Sequence, residues 1–189
     1  MKNLKSIALA LLVAVSTIAG NAQTAKRVDV SKSKILWIAK KIGGQHNGDI
    51  KLKEGTLIFK ADKLVGGNFI VDMTTINTLD LQGEWKGKLD EHLKSDDFFS
   101  TNTNPTATLV FKSIGIKSKN TYTIIADLTI KGKTAPITFD LVTSKEAANA
   151  KLMVDRTKYD IKYNSKSFFE SIGDKAIDDL FELNVTLKF

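Results

Sequence analysis

An all-β fold with one short helix, an antiparallel up-and-down barrel of eight strands, is what this 189-residue sequence predicts. Three observations point to it. Apolar and polar residues alternate with period two in one short set after another, the signature of a half-buried strand. Turn-forming residues fall between the sets at short spacing, as in hairpin-connected strands. Each set has a single apolar face, so the faces must converge. Closing the sheet on itself achieves this and leaves no unpaired edge.

The elements follow in chain order. Residues 1–22 read as a cleaved secretory leader: Lys2 and Lys5 are followed by an apolar run from Ile7 to Val15, then by small residues ending at Gly20 and Ala22. The apolar run is too short to span a membrane, which needs about 20 residues. Cleavage after Ala22 leaves residues 23–189 as one domain and removes two lysines, lowering the net charge from +7 to +5. Ile35, Trp37 and Ala39 share the first parity, then Leu57 and Phe59, then Phe69, Val71 and Met73. Ala107, Leu109 and Phe111 follow, then Tyr122, Ile124, Ala126, Leu128 and Ile130. Ile137, Phe139 and Leu141, then Leu152 and Val154, complete the middle of the chain. The clearest alternation is the last: Phe181, Leu183, Val185, Leu187 and Phe189. Turns are expected at Gly43-Gly44, Asn47-Gly48, Glu54-Gly55, Gly66-Gly67, Lys119-Asn120 and Lys131-Gly132-Lys133. Trp85 to Asp97, with Leu89 and Leu93 four apart, reads as a short helix. Phe168 to Asp179 reads as a loop with one helical turn.

Composition narrows the chemistry. With no cysteine there is no disulfide, thiolate metal site or cysteine nucleophile. The two histidines, His46 and His92, are far apart and show no ligand spacing, so no metal and no cofactor are expected. Neither a nucleophile elbow nor a phosphate-cradling glycine loop is present. Arg27 and Arg156 are the only arginines. The lysines are spread along the strands as on a solvated exterior, so nucleic acid is not an expected partner. Transient contact with an anionic membrane remains compatible with the charge.

The inward faces carry the functional expectation. Trp37, Phe59, Phe69, Phe111, Leu128, Phe139 and Leu183 are candidate lining residues for a bound apolar chain, and a solidly packed core is the other reading of the same residues. Lys41 and Arg156 share parity with inward sets and are candidates to meet an anionic head group at a barrel mouth. Arg156 pairing with Asp127 or Asp155 is the alternative. His92, among Asp90, Glu91, Asp96 and Asp97, reads as a helix brace in preference to a general base.

Val28-Asp29 with Ser33 to Lys41, Asp90 to Phe99, and Asp127 to Ile137 together resemble the YceI-like family of exported, lipocalin-like barrels that bind polyisoprenoids or similar amphiphiles. Val28-Asp29 and Ser33 to Lys41 resemble its first strand, and Thr75-Ile76-Asn77-Thr78 its Ser-x-x-Thr step. Asp90-Glu91-His92-Leu93-Lys94-Ser95-Asp96-Asp97-Phe98-Phe99 resembles its most specific motif, in which Asp90, His92, Leu93 and Phe98 are structural. Pro105 to Phe111 and Asp127 to Ile137 match the strands that follow. The chain departs from the pattern at Leu89, where the family has arginine, and at Lys32 and Lys41, where it has histidines. The resemblance implies a periplasmic or secreted, non-enzymatic binding protein for a polyisoprenoid or fatty-acyl amphiphile. The rival readings are a structural, stress-related barrel with a packed core and a lipid-acting enzyme using His92.

Overall fold

The computed structural model describes residues 23–169 and 173–189, so the leader expected over residues 1–22 lies outside the described residues. The strands are β1 (Gln23–Arg27), β2 (Lys34–Lys41), β3 (Gly44–Lys60), β4 (Lys63–Thr78), β5 (Thr106–Ser118), β6 (Thr121–Ile130), β7 (Lys133–Thr143), β8 (Ala147–Asp155) and β9 (Ile177–Lys188). One helix, α1 (Gly83–Lys94), sits between β4 and β5. The strands run β3-β2-β9-β8-β7-β6-β5-β4 and return to β3, every pairing antiparallel, so eight strands close the predicted barrel.

The ninth strand was not expected. β1 pairs with the second half of β3 (Arg27 opposite Thr56), while β2 pairs with the first half (Ile35 opposite Ile50). The chain crosses between them at Val28 and Asp29, whose N–H groups donate to the carbonyls of Gly55 and Lys188 at 2.9 and 2.7 Å. β1 and β2 are thus two pieces of one interrupted wall.

The predicted parity holds, with local slips where the barrel must bend. On β3, Leu52 and Leu57 both face inward although they are five positions apart, an odd spacing that would otherwise put them on opposite faces. The register shift between Leu52 and Glu54 supplies the extra residue, as a bulge does. A second shift between Phe111 and Ser113 on β5 lets Ile114 join the core.

Three expected turns are corrected. Asn47-Gly48, Glu54-Gly55 and Gly66-Gly67 lie inside β3 and β4. Their glycines serve close packing: a Cβ on Gly48 would lie 2.4 Å from the Trp37 ring, and one on Gly67 would lie 2.7 Å from the Phe111 ring. The hairpin turn that joins β3 to β4 is Ala61-Asp62, both with positive φ (46° and 62°). Alanine rarely occupies such a position, so the sequence offers no turn signal there. The helix starts and ends earlier than Trp85–Asp97, and the loop before β9 contains a short 3-10 turn at Gly173–Lys175.

Candidate functional site

The barrel is solid at one end and hollow at the other. The solid end holds Leu57, Leu64, Tyr122, Ile124 and Ala148, all fully or almost fully buried. The Tyr122 hydroxyl is not orphaned there, since it accepts a hydrogen bond from the Leu64 N–H at 3.4 Å. Toward the other end the inward side chains stop meeting one another and surround an apolar cavity of about 170 Å³. That size is close to the ~150 Å³ of an engineered apolar cavity that stays dry and takes up benzene.

All eight strands of the closed barrel contribute. Trp37 from β2, Leu52 from β3, Phe69 from β4, Phe111 from β5, Leu128 from β6 and Phe139 from β7 face the cavity, joined by Leu152 from β8 and Leu183 from β9. Trp37 can present its ring to an apolar space because its Nε1–H donates to the Asp49 carbonyl at 3.3 Å. Leu183, Val185 and Phe181 are only partly buried although they point inward, because they border empty volume.

Residues at the hollow end form a mouth. Leu93 from the end of α1, with Phe98 and Phe99 from the following loop, faces the cavity on one side; Arg156, Ile177 and Asp178 face it on the other. The loop is stitched by its own backbone: the Phe98 N–H donates to the Ser95 carbonyl at 3.1 Å and the Phe99 N–H to Leu93 at 3.2 Å. The Lys131 ammonium donates to the Asp96 carbonyl at 2.7 Å, tying the loop to the β6–β7 turn.

Polar contacts fix α1 over the barrel, since none of its residues is fully buried. Asp90 accepts from the Thr78 N–H at 2.8 Å and pairs with Lys86, which also donates to Asn77 at 2.7 Å. Burial pushes the Asp90 carboxyl up, but the Lys86 ammonium and the Thr78 N–H outweigh it and hold Asp90 below the usual carboxylate range.

Arg156 does not have a hand free. Its Nε donates to the Asp178 carbonyl (3.0 Å), one Nη to the carbonyls of Ile161 and Tyr163 (3.0 and 2.8 Å), and the other to the Ile177 carbonyl and the Asp179 carboxylate (3.0 and 3.4 Å). All five N–H groups are used, with the side chain 4% exposed. The expected carboxylate partner, Asp127 or Asp155, is corrected to Asp179. Asp127 instead pairs with Lys112, and Asp155 caps the next turn by accepting from the Thr157 N–H at 3.0 Å. Burial pulls the Arg156 pKa down, opposed by Asp179, Asp155 and Asp178.

The other predicted residues divide by position. Lys41 is exposed at the mouth end of β2, opposite cavity-lining Ile177, and its side chain makes no hydrogen bond or ion pair among the described residues. Phe59 is the correction among the lining candidates. It lies at the solid end, 6.3 Å from the Phe189 ring and with the Lys26 ammonium 5.3 Å from its own. Parity shows that a residue points inward and carries no information about depth. His92 packs edge-on against Phe98 (5.1 Å) and Tyr163 (4.6 Å), with Asp97 3.9 Å from its Nε2. This packing lies outside the cavity lining. Among the described residues no cluster of three or more histidine or acidic side chains is placed to hold a metal. Phe99 was missed as a lining residue, because it stands on an aperiodic loop. Phe181 and Val185 were legible in the alternation of β9.

A sequence model described as a YceI-like domain matches residues 27–189. A UPF0312 protein of Staphylococcus epidermidis is 35% identical over 99 residues, 47% of this chain and 53% of that protein. One from Shewanella denitrificans is 33% identical over 93 residues, 49% of this chain and 47% of that protein. The chain thus spans about half the length of the curated relatives it matches. In structure it is similar to BcnA of Burkholderia cenocepacia, with a TM-score of 0.70 at 20% identity, covering 85% of this chain and 98% of that one. It is also similar to a polyisoprenoid binding domain from Saccharophagus degradans implicated in plant cell wall breakdown, with a TM-score of 0.59 at 13% identity, covering 86% and 97%. At these identities the structural likeness speaks for the fold.

Proposed function

Because the chain belongs to the YceI-like family, we propose that it is an exported, non-enzymatic carrier for a polyisoprenoid or another amphiphile whose apolar chain enters the barrel. One observation carries the reading: the cavity wall offers hydrocarbon and no unsatisfied hydrogen-bonding group. Among the described residues its two charged neighbours are Arg156, whose donors are all engaged, and Asp178, which is exposed. A guest in such a space gains about 0.8 kcal/mol for each CH₂ taken from water. A polar group dragged in would find no partner and cost about 1–3 kcal/mol. The guest therefore enters chain first and leaves its head at the mouth, where Lys41 offers a cation to an anionic head. The likeness to a polyisoprenoid binding domain supports the choice of chain. The apolar leader pattern of residues 1–22 supports export to the periplasm or beyond.

Native mass spectrometry of gently purified protein tests the reading. A co-purified amphiphile, or one-to-one uptake of farnesol from solution, is the expected result. A protein that arrives empty and takes up neither prenols nor fatty acids contradicts it.

A further inference from the structure

The rings that this barrel leaves in water are all at one end. Among the described residues the exposed aromatic side chains are Trp85, Tyr163, Phe168 and Phe169, and each stands on α1 or on the segment between β8 and β9, both at the mouth. The exposed apolar residues at the solid end, Val30, Val65, Ile116 and Val142, are aliphatic and include no ring.

Backbone bonds hold the mouth rings outward. The N–H groups of Phe168 and Phe169 both donate to the Ser165 carbonyl, at 3.2 and 3.1 Å, and Ser165 is completely buried. The turn is anchored at that serine, and the two phenylalanines after it are 49% and 50% exposed. Two further bonds bring neighbouring segments alongside. The Ile177 N–H donates to the Asn164 carbonyl at 2.9 Å, and the N–H of Ile42, the residue after β2, donates to the Ala176 carbonyl at 3.1 Å. Ile42 is exposed as well.

Cations stand among these apolar groups. Lys41, Lys166 and Lys175 lie on the same joined segments, are exposed, and make no ion pair among the described residues. Of the acids there, Asp160 pairs with Lys162 and Asp179 with Arg156, which leaves Asp174 and Asp178 against the three lysines. Across the mouth the balance is reversed: Glu84, Asp90, Glu91, Asp96 and Asp97 outnumber Lys86, Lys88 and Lys94. Aromatic rings interleaved with lysines suit the boundary of an anionic bilayer, where rings enter among the headgroups and ammonium groups meet lipid phosphates.

We propose that the Phe168–Phe169 side of the mouth docks on an anionic phospholipid bilayer, with these rings and Ile42 entering the headgroup layer and Lys166 and Lys175 meeting its phosphates. A guest would then pass between bilayer and barrel without exposing its chain to water. That use of the contact rests on the carrier reading; the docking itself does not.

Co-sedimentation with vesicles tests it, using phosphatidylcholine alone and phosphatidylcholine mixed with phosphatidylglycerol. The protein is expected to bind the mixed vesicles, to bind the neutral ones far more weakly, and to leave the mixed ones at high salt. Phe168→Ser with Phe169→Ser should cut binding roughly tenfold or more. Lys166→Gln with Lys175→Gln should cut it roughly tenfold on the mixed vesicles alone. Phe169→Ser, the milder change should the double variant not fold, should cut it by less. Farnesol uptake from solution should be unchanged in all of these, since none of the substituted side chains lines the cavity. In a Trp85→Phe background, Phe168→Trp should be quenched by brominated lipid, and Ile116→Trp, at the opposite end, should not. Failure to bind the mixed vesicles, binding that survives either double variant, or stronger quenching of Ile116→Trp than of Phe168→Trp overturns the proposal. So does self-association in place of vesicle binding, abolished by the Phe168, Phe169 double variant, which assigns the face to a second copy of this chain. Vesicle binding by a protein that takes up neither prenols nor fatty acids keeps the docking and removes the carrier reading.

Discussion

At one end of the barrel Leu57 and Ile124 are completely buried; on the same wall of strands Leu183 and Val185, equally apolar and equally inward, keep exposed surface. The alternation that directs both groups is identical. What differs is whether the facing side chains are large enough to meet. At the solid end Leu57, Phe59, Leu64, Tyr122 and Phe189 fill the cross-section. At the hollow end Ala39 and Ala107 stand where bulk would close the space. Direction is thus a property of each strand's sequence, and filling is a property of the whole ring of strands.

Arg156 holds the rim of the hollow end in place with five hydrogen bonds. Arg156→Ala should give the largest loss, on the order of 3–5 kcal/mol, since it strands Asp179 and four carbonyls. Urea unfolding checks this, and Arg156→Lys should rescue it only in part, having three donors instead of five. Next comes the direct contrast. Leu57→Ala opens a void in packed core and should cost about 3 kcal/mol, within a usual range of 2–5. Leu183→Ala enlarges an existing cavity and should cost about 1 kcal/mol, the surface-transfer part alone. Equal losses in the two variants would mean that the ends do not differ in packing.

The clasp between α1 and β4 should have a smaller, pH-dependent effect. Asp90 has a lowered pKa in the folded protein, so its contribution is present above the unfolded value of about 3.8 and fades as pH falls through the folded one. Asp90→Asn should lower stability by about 1–2 kcal/mol at pH 7, and the difference from the parent should shrink below pH 4. A constant difference down to pH 2 would remove the charge from the account. Smallest of all, Lys41→Ala should leave stability unchanged and weaken farnesyl phosphate by no more than about fivefold, with farnesol unaffected.

Much of this architecture was legible in the sequence. Period-two alternation identified the inward side of nearly every strand, and residues 90–99 marked the helix and loop at the mouth. Position along the barrel axis was not legible, which is why Phe59 was grouped with the lining although it lies in solid core. The glycines of β3 and β4 misled for a related reason. Gly48 and Gly67 look like turn residues in a linear reading, but rings from neighbouring strands lie over them, and such contacts appear only when strands are placed side by side. Asp179 as the partner of Arg156 was hidden likewise, since β9 reaches the mouth through a loop with no periodicity.

The contrast between the two ends can be read in a single titration of protein carrying ¹³C-labelled leucine, isoleucine and valine methyl groups with geraniol. The account predicts shifts concentrated at Leu128, Leu152, Leu183 and Val185, with Leu57, Leu64 and Ile124 unmoved. Shifts centred on the solid end, or spread evenly over the surface, would contradict it.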